Sequence, residues 1–88
     1  MKQRYLEVTF RKGKPLAAYL YLPRPPRAKA ARTEDAGHGI KIDFDAVGTP
    51  IGVEITAPSA TNVARLNEAL ARFGLDQIAD DEWAPLAA

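Results

Sequence analysis

The chain has 88 residues, no cysteine and a formal net charge of +1. A chain of this length forms one domain, and the lack of cysteine excludes disulfide bonds and thiolate metal sites. Since no apolar run approaches the ~18 residues of a membrane span and no signal-peptide pattern is present, we predict a soluble, cytoplasmic domain over residues 1–88.

The small net charge hides a strong division between the two parts of the chain. Residues 1–32 carry nine Lys or Arg against one acidic residue, whereas residues 33–88 carry three against ten. Such a chain can pair its own halves, pair head-to-tail with a second copy, or present a basic patch to an acidic partner. The sequence leaves these three alternatives open.

Two alternating runs at the start of the chain predict a β-hairpin. Residues 4–10 and residues 16–22 each place apolar side chains on one face and mostly polar or aromatic side chains on the other. This period of two is typical of a strand with one buried face. Residues 11–15, which contain glycine and proline, predict the turn, so Tyr5 and Tyr21 should face each other across the strands.

A proline-rich connector and a polar segment follow the first hairpin. Pro23-Arg-Pro-Pro-Arg27 favours an extended, polyproline-like connection. Residues 29–34 predict a polar third strand at an edge of the sheet, where charged side chains discourage sheet-to-sheet aggregation. Residues 35–39 predict the turn into the next strand.

Residues 39–45 and 51–56 carry the strongest strand pattern of the chain and predict a second hairpin. The register that matches the apolar sets pairs Phe44 with Ile51, Ile42 with Val53, Ile40 with Ile55 and Lys41 with Glu54. That opposite-charge pair contributes roughly 0.2–1 kcal/mol. A slip by two residues would instead oppose Asp43 to Glu54, which repel each other.

The apolar period changes after the second hairpin. Apolar residues then recur every three or four positions, which predicts an amphipathic helix over about 60–73. Ser59 or Thr61 can cap its start, and Gly74 stands where a left-handed residue ends a helix. The acidic tail, 75–88, has two alternatives, a further short helix against the sheet or docking on a second subunit.

These elements in this order predict an α+β fold. We expect an antiparallel sheet of about five strands built from two hairpins, with one face covered by a single C-terminal amphipathic helix. The helix and the apolar face of the sheet should share one core.

Four segments carry a resemblance to a known family. They are Ala18-Tyr-Leu-Tyr-Leu22, Ala31-Arg-Thr-Glu34, Gly39-Ile-Lys-Ile-Asp-Phe-Asp45 and Ile51-Gly-Val-Glu-Ile55, within residues 16–59. With them the chain resembles the small bacterial proteins of domain of unknown function family 2283. The resemblance implies a small β-rich domain without an established activity or catalytic residues. By analogy it suggests antitoxin-like binding to a toxin-like partner.

The candidate catalytic and metal-binding residues lack a supporting pattern. His38 is the only histidine and lies in a Gly-His-Gly turn without a neighbouring nucleophile. Asp43, Asp45 and Glu54 share the polar face of one hairpin, but no EF-hand loop or phosphate-binding loop accompanies them. The sequence therefore predicts a protein that is not an enzyme and has no catalytic residue, metal or cofactor. Whether those three carboxylates hold a cation stays open.

The tyrosines are the main candidate interface. Tyr5, Tyr19 and Tyr21 fall on the sheet face opposite the apolar residues, and tyrosine is enriched in subunit interfaces. Together with Trp83 they form the predicted interface of a non-enzymatic protein-interaction module. We expect this module to self-associate, with a dimer favoured, and to bind another protein. The tyrosines could also simply be strand formers.

The alternative function is nucleic-acid binding through the basic N-terminal half. Tyrosines on a sheet can stack nucleobases when basic side chains flank them. The candidate contacts are Arg4, Arg24, Arg27 and Lys29. No nucleic-acid-binding motif accompanies them, so this hypothesis ranks below protein interaction.

Overall fold

The computed structural model describes residues 4–23 and 27–86. The strands are β1 (Tyr5–Arg11), β2 (Lys14–Tyr21), β3 (Arg32–Gly37), β4 (Ile40–Phe44) and β5 (Pro50–Ile55). They form one antiparallel sheet in the order β1-β2-β5-β4-β3. The predicted α+β class and both predicted hairpins are confirmed. Of the proline-rich connector, 24–26 lie outside the described residues.

Two helices follow the sheet. The helix α1 (Val63–Arg72) comes first, and a short helix, α2 (Asp80–Trp83), forms in the segment predicted as an acidic tail. Turns of 3₁₀-helix lie at Pro58–Ala60 and Ala84–Leu86. Of the two alternatives for the tail, a further short helix against the sheet is confirmed, so α1 is joined by a second, short helix. Within the described residues, no helix is long and apolar enough to cross a membrane.

The core lies between one face of the sheet and the helices. Leu20, Ile42 and Val53 from the sheet and Leu66 and Leu70 from α1 are at most 2% exposed. The tail adds Ile78, Trp83 and Leu86 to the same cluster. Alternation in the strands and the period of the helix bring these side chains together, as the sequence predicted.

Asn62 and Gly74 set the two ends of α1. Asn62, and neither Ser59 nor Thr61, is the N-cap: its Oδ1 accepts the Arg65 N–H at 2.9 Å. Pro58–Ala60 forms its own turn, so the helix begins three residues later than predicted. Gly74, at φ 72°, ends the helix as predicted.

A Schellman motif completes this C-terminal end. The Gly74 N–H donates to the Ala71 carbonyl at 3.1 Å, and the Leu75 N–H donates to the Leu70 carbonyl at 2.8 Å. These bonds satisfy carbonyls that the end of a helix leaves without partners.

The β4–β5 register is confirmed except at its turn end. Ile40 faces Ile55, Lys41 faces Glu54 and Ile42 faces Val53. The predicted pair of Phe44 with Ile51 is wrong, since Phe44 faces Pro50 and a bulge shifts the register after Asp43. A bulge places an extra residue in one strand, here Ile51, which alternation alone does not reveal.

The turn that follows β4 is held by hydrogen bonds to Asp45. The Asp45 carboxylate accepts the backbone N–H groups of Val47 and Thr49 at 3.0 and 2.9 Å. Asp45 therefore organises the turn through its own side chain.

The third strand runs from Arg32 to Gly37, later than the predicted 29–34. The turn is confined to Gly37, His38 and Gly39, whose φ angles are 84°, 55° and 76°. Because three left-handed residues reverse the chain so tightly, the residues before them stay paired with β4. The polar third strand does lie at an edge of the sheet, as predicted.

One side chain ties the C-terminal segment to α1. Asn67 accepts the Ile78 N–H through Oδ1 at 2.8 Å and donates through Nδ2 to the Ile78 carbonyl at 3.1 Å. Both bonds are partly buried. They hold Ile78 against the helix and lead the chain toward Trp83.

Shortening a core side chain should lower the stability of the domain strongly. We expect Leu70→Ala to lower the free energy of unfolding by about 2–5 kcal/mol, because it leaves a cavity where Leu70 is fully buried. Urea unfolding measures the change. Val47→Ala is the control, since Val47 is 86% exposed, and it should stay within about 0.5 kcal/mol. A loss below about 1 kcal/mol for Leu70→Ala would contradict this placement of the core.

Removing the Asn67 amide should loosen the C-terminal segment. We expect Asn67→Ala to destabilise by about 1–3 kcal/mol, because the Ile78 N–H and carbonyl lose their partners. The fluorescence of Trp83, the only tryptophan, should shift to the red, and exchange of the Ile78 amide should accelerate. Glu68→Ala on the same helix is the control and should change neither readout. Unchanged exchange at Ile78 would show that Asn67 does not anchor the segment.

Candidate functional site

The face of the sheet opposite the helices is named the open face. The pairing of the strands places on it Tyr5, Glu7, Thr9, Ala17, Tyr19, Tyr21, Gly52, Glu54, Lys41, Asp43, Thr33 and Asp35. Their neighbours along each strand point to the core, since successive side chains alternate between the two faces. The three tyrosines predicted as an interface therefore lie together on one surface.

The tyrosines form a contiguous aromatic group. Tyr5 and Tyr21 stand opposite each other, as predicted, and their rings stack with centroids 4.7 Å apart. Tyr19 meets Tyr21 edge-to-face, also at 4.7 Å. Both arrangements are favourable geometries for aromatic pairs. Tyr5 is 49% exposed, and the other two are partly buried.

Hydroxyl groups connect the aromatic group to carboxylates. The Tyr19 hydroxyl donates to Asp43 Oδ2 at 2.8 Å, and the Thr33 hydroxyl donates to Asp43 Oδ1 at 2.6 Å. The Tyr21 hydroxyl donates to Glu7 Oε1 at 3.3 Å. Four of the five strands are thus joined by side chains on the open face, which holds its polar groups in place.

Glycine at position 52 makes the Tyr19–Asp43 bond possible. Gly52 lies on β5 between the strands that carry Tyr19 and Asp43, and the tyrosine ring crosses directly over it. A Cβ at this position would overlap the Tyr19 ring and hydroxyl. Gly52 is thus a functional residue that the sequence reasoning missed. The signal was available, because a glycine inside a strand often marks a close approach.

The open face is acidic as well as aromatic. Away from the β1–β2 turn, its charged residues are the carboxylates of Glu7, Asp35, Asp43 and Glu54 and one ammonium group, that of Lys41. The cationic pair of Arg11 and Lys14 lies at the turn end of the same face. Lys41 faces Glu54 in the ladder, as predicted. The excess of carboxylates sets the electrostatic character of this surface, so a cationic group is attracted to it.

A shallow depression of about 190 Å³ lies at the centre of this acidic region. Glu7 and Glu54 flank it, Tyr19 stands between them in the ladder, and Thr9, Ala17 and Ala18 complete the lining. Two carboxylates that flank an aromatic residue in the ladder can hold a lysine or arginine side chain through ion pairs and a cation–π contact.

Trp83 does not join the tyrosines, although the sequence analysis placed it in the same interface. It is 8% exposed and packs in the core on the other side of the sheet. The helix α2 carries it there, because the tail is drawn back by Asn67. The described chain therefore buries Trp83 in its own core.

Of the residues predicted as nucleic-acid contacts, Arg4 is engaged within the chain. The Arg4 guanidinium donates to the carbonyls of Asp76 and Gln77 and lies 3.6 Å from the Glu82 carboxylate. Arg4 thereby clamps the C-terminal segment, an instance of the two oppositely charged halves pairing within one chain. Arg27 and Lys29 are exposed, and Arg24 lies outside the described residues.

The residues considered as catalytic or metal-binding candidates, Asp43, Asp45 and His38, have different partners in the structure. Asp43 is engaged with two hydroxyl groups and Asp45 with turn amides, while the His38 ring lies against the Arg65 guanidinium. Over residues 4–23 and 27–86, no group of three or more His, Asp or Glu side chains is placed to hold a metal ion.

Comparison of this chain with known protein families, curated proteins and solved structures finds no match. The resemblance to domain of unknown function family 2283 therefore stays a prediction.

The close packing of Tyr19 over Gly52 can be tested with a double-mutant cycle. We expect Gly52→Ala to destabilise by about 1–3 kcal/mol, because the new methyl group displaces the Tyr19 ring and its bond to Asp43. In a Tyr19→Ala background the same substitution should cost about 0.5 kcal/mol or less, since no ring remains to be displaced. Urea unfolding of the four proteins gives the coupling. Equal costs in both backgrounds would show that the ring does not cover this glycine.

Proposed function

We propose that this chain is a non-enzymatic protein-interaction module, which self-associates and uses its open face to bind a basic segment of a partner protein. The observation that carries the proposal is the pairing of three tyrosines with an excess of carboxylates on the face away from the helices. Antitoxin-like binding to a toxin-like partner is the form that the family resemblance suggests. The lack of cysteine suits a reducing compartment such as the cytoplasm.

The depression on the open face supports a lysine or arginine side chain as the group that is recognised. Glu7 and Glu54 stand on opposite sides of Tyr19, in neighbouring strands of the ladder. A cationic side chain lying on the ring would approach both carboxylates. Charge-assisted contacts of this kind are about twice as strong as neutral ones.

The rigidity of the surface supports binding further. Tyr21 donates to Glu7, and the Tyr19 hydroxyl donates to Asp43, so Glu7 and the Tyr19 ring are already held in place beside the depression. A preorganised surface loses less conformational entropy when a partner binds.

The same charges argue against nucleic acid on this face. A phosphate backbone would meet Glu7, Asp43 and Glu54, and like charges repel. The guanidinium of Arg4, which the alternative hypothesis needs, is occupied by the C-terminal segment. Protein interaction is therefore the better supported function.

The proposal can be tested with an eight-residue arginine peptide as the probe. We expect salt-sensitive binding to the open face, with chemical-shift changes at Glu7, Tyr19 and Glu54 in a ¹⁵N-labelled sample. The double substitution Glu7→Gln and Glu54→Gln should weaken binding by about tenfold or more, because both flanking charges are lost. Titration calorimetry provides the affinities.

The matched control removes the same charge elsewhere. Asp80→Asn with Asp81→Asn neutralises two exposed carboxylates of the C-terminal segment and should leave the affinity almost unchanged. Equal weakening by both double substitutions would mean that the peptide responds only to net charge. An eight-nucleotide single-stranded DNA is the second probe, and salt-sensitive binding of it would favour the alternative function instead.

A further inference from the structure

The two edge strands of the sheet, β1 and β3, differ in how well they are protected against pairing with another chain. The β3 edge carries Arg32, Glu34 and Asp35 and contains a bulge between Asp35 and Gly37. Charged residues and bulges are the usual means by which an edge strand avoids pairing with another chain. Growth of the sheet at this edge is therefore discouraged.

The β1 edge lacks this protection. Its seven residues carry two charged side chains, Glu7 at an interior position and Arg11 at the turn end, and no proline. The irregularity in its pairing with β2 comes from the extra residue Leu16 on β2, so β1 itself is regular. Tyr5, Phe10 and Leu16 are about half exposed, and all three belong to this hairpin.

The hydrogen-bonding phase of β1 follows from one bond at the centre of the sheet. The Leu22 N–H, just after the end of β2, donates to the Ile51 carbonyl at 3.2 Å. Leu22 and the even-numbered residues Ala18 and Leu20 of β2 therefore direct their backbone groups toward β5. In an antiparallel ladder successive residues alternate between the two neighbours, so the odd-numbered residues of β2 bond to β1. Tyr5, Glu7 and Thr9 face those residues.

The remaining residues of β1 direct their N–H and carbonyl groups outward. These residues are Leu6, Val8 and Phe10, whose side chains are on the core face of the sheet. Among the described residues, β1 pairs with β2 alone, so this outer row is open.

We propose that a second copy of this chain pairs its β1 antiparallel with the first, with Val8 opposite Val8 of the second copy. This inference rests on the self-association included in the proposed function. In this register Leu6 lies opposite Phe10 of the other copy, so every outward N–H of one strand meets an outward carbonyl of the other. The apolar side chains of both copies fall on the same face and extend the core across the two-fold axis.

The charges of the two edges are compatible with this register. Glu7 lies opposite Thr9 of the second copy and diagonal to its Arg11, while Tyr5 lies opposite that Arg11. Diagonal residues on one face are within reach of long side chains. Arginine next to tyrosine adds a cation–π contact.

Shifting the two strands by two residues in one direction would oppose Glu7 to Glu7, which is unfavourable. A dimer formed face to face through the open faces would likewise bring Glu7, Asp43 and Glu54 against carboxylates. Self-association through the β1 edge avoids both, and it leaves the open face available to a partner.

The decisive experiment is light scattering of the full chain over a concentration series. We expect the wild-type chain to reach twice the 9.6 kDa mass of one chain. Val8→Pro removes an outward N–H, which the β1–β2 ladder does not use, and proline is tolerated at such edge positions. It should raise the dissociation constant of the dimer by at least about tenfold, because both central bonds are lost.

The matched control is Thr33→Pro on the β3 edge. It removes an outward N–H and also the hydrogen bond that the Thr33 hydroxyl donates to Asp43. It should leave the dimer intact, and circular dichroism should show that both variants keep the sheet. A folded Val8→Pro variant that dimerises as tightly as the wild type would overturn the inference, although self-association itself would stand. A wild-type chain that stays monomeric would instead remove self-association from the proposed function.

A cysteine variant tests the register directly and does not depend on the proline substitution. Opposed residues of a hydrogen-bonded pair have Cα atoms about 5.5 Å apart, which suits a disulfide. Since the chain has no cysteine, Val8→Cys should form a covalent dimer under mild oxidation, and Glu34→Cys on the β3 edge should not. A wild-type dimer without cross-linking of Val8→Cys would show that the copies meet elsewhere.

Discussion

The pairing of β2 with β5 is the interaction on which the rest of the structure depends. Each hairpin on its own is marginal in water, because two strands bury too little apolar surface. The ladder from Ala18 to Tyr21 joins them into one sheet and places Leu20 opposite Val53 in the core. The same ladder places Tyr19 beside Glu54 on the other face, so one pairing builds both the core and the candidate site.

The two faces of the sheet differ in their chemistry. One face is dry, packed by α1 and by the C-terminal segment, and accounts for the stability of the domain. The other face keeps its carboxylates and hydroxyls in contact with water and orders them through side-chain bonds. Gly52 is buried in the sheet, and because it has no Cβ, the Tyr19 ring can pass over it and reach Asp43 on the open face.

The proposed dimer would form through the less protected edge of the sheet. Pairing through β1 would form a closed dimer, since each copy then presents only its β3 edge, which charges and a bulge protect. The two open faces would lie side by side on one continuous sheet. A partner with two basic segments at a suitable spacing would then bind both copies, and the second contact would benefit from a high effective concentration.

The sequence by itself determined the alternation of the strands, the stripe of α1 and the end of that helix at Gly74, because these depend on neighbours a few positions apart. It also placed the three tyrosines on one face. The tertiary structure alone decided the bulge at Ile51, the passage of Tyr19 over Gly52 and the burial of Trp83. The bulge arises within the β4–β5 hairpin, where alternation does not reveal an extra residue. The other two features depend on residues far apart in the chain, whose contacts exist only after β2 has met β5 and the tail has folded back.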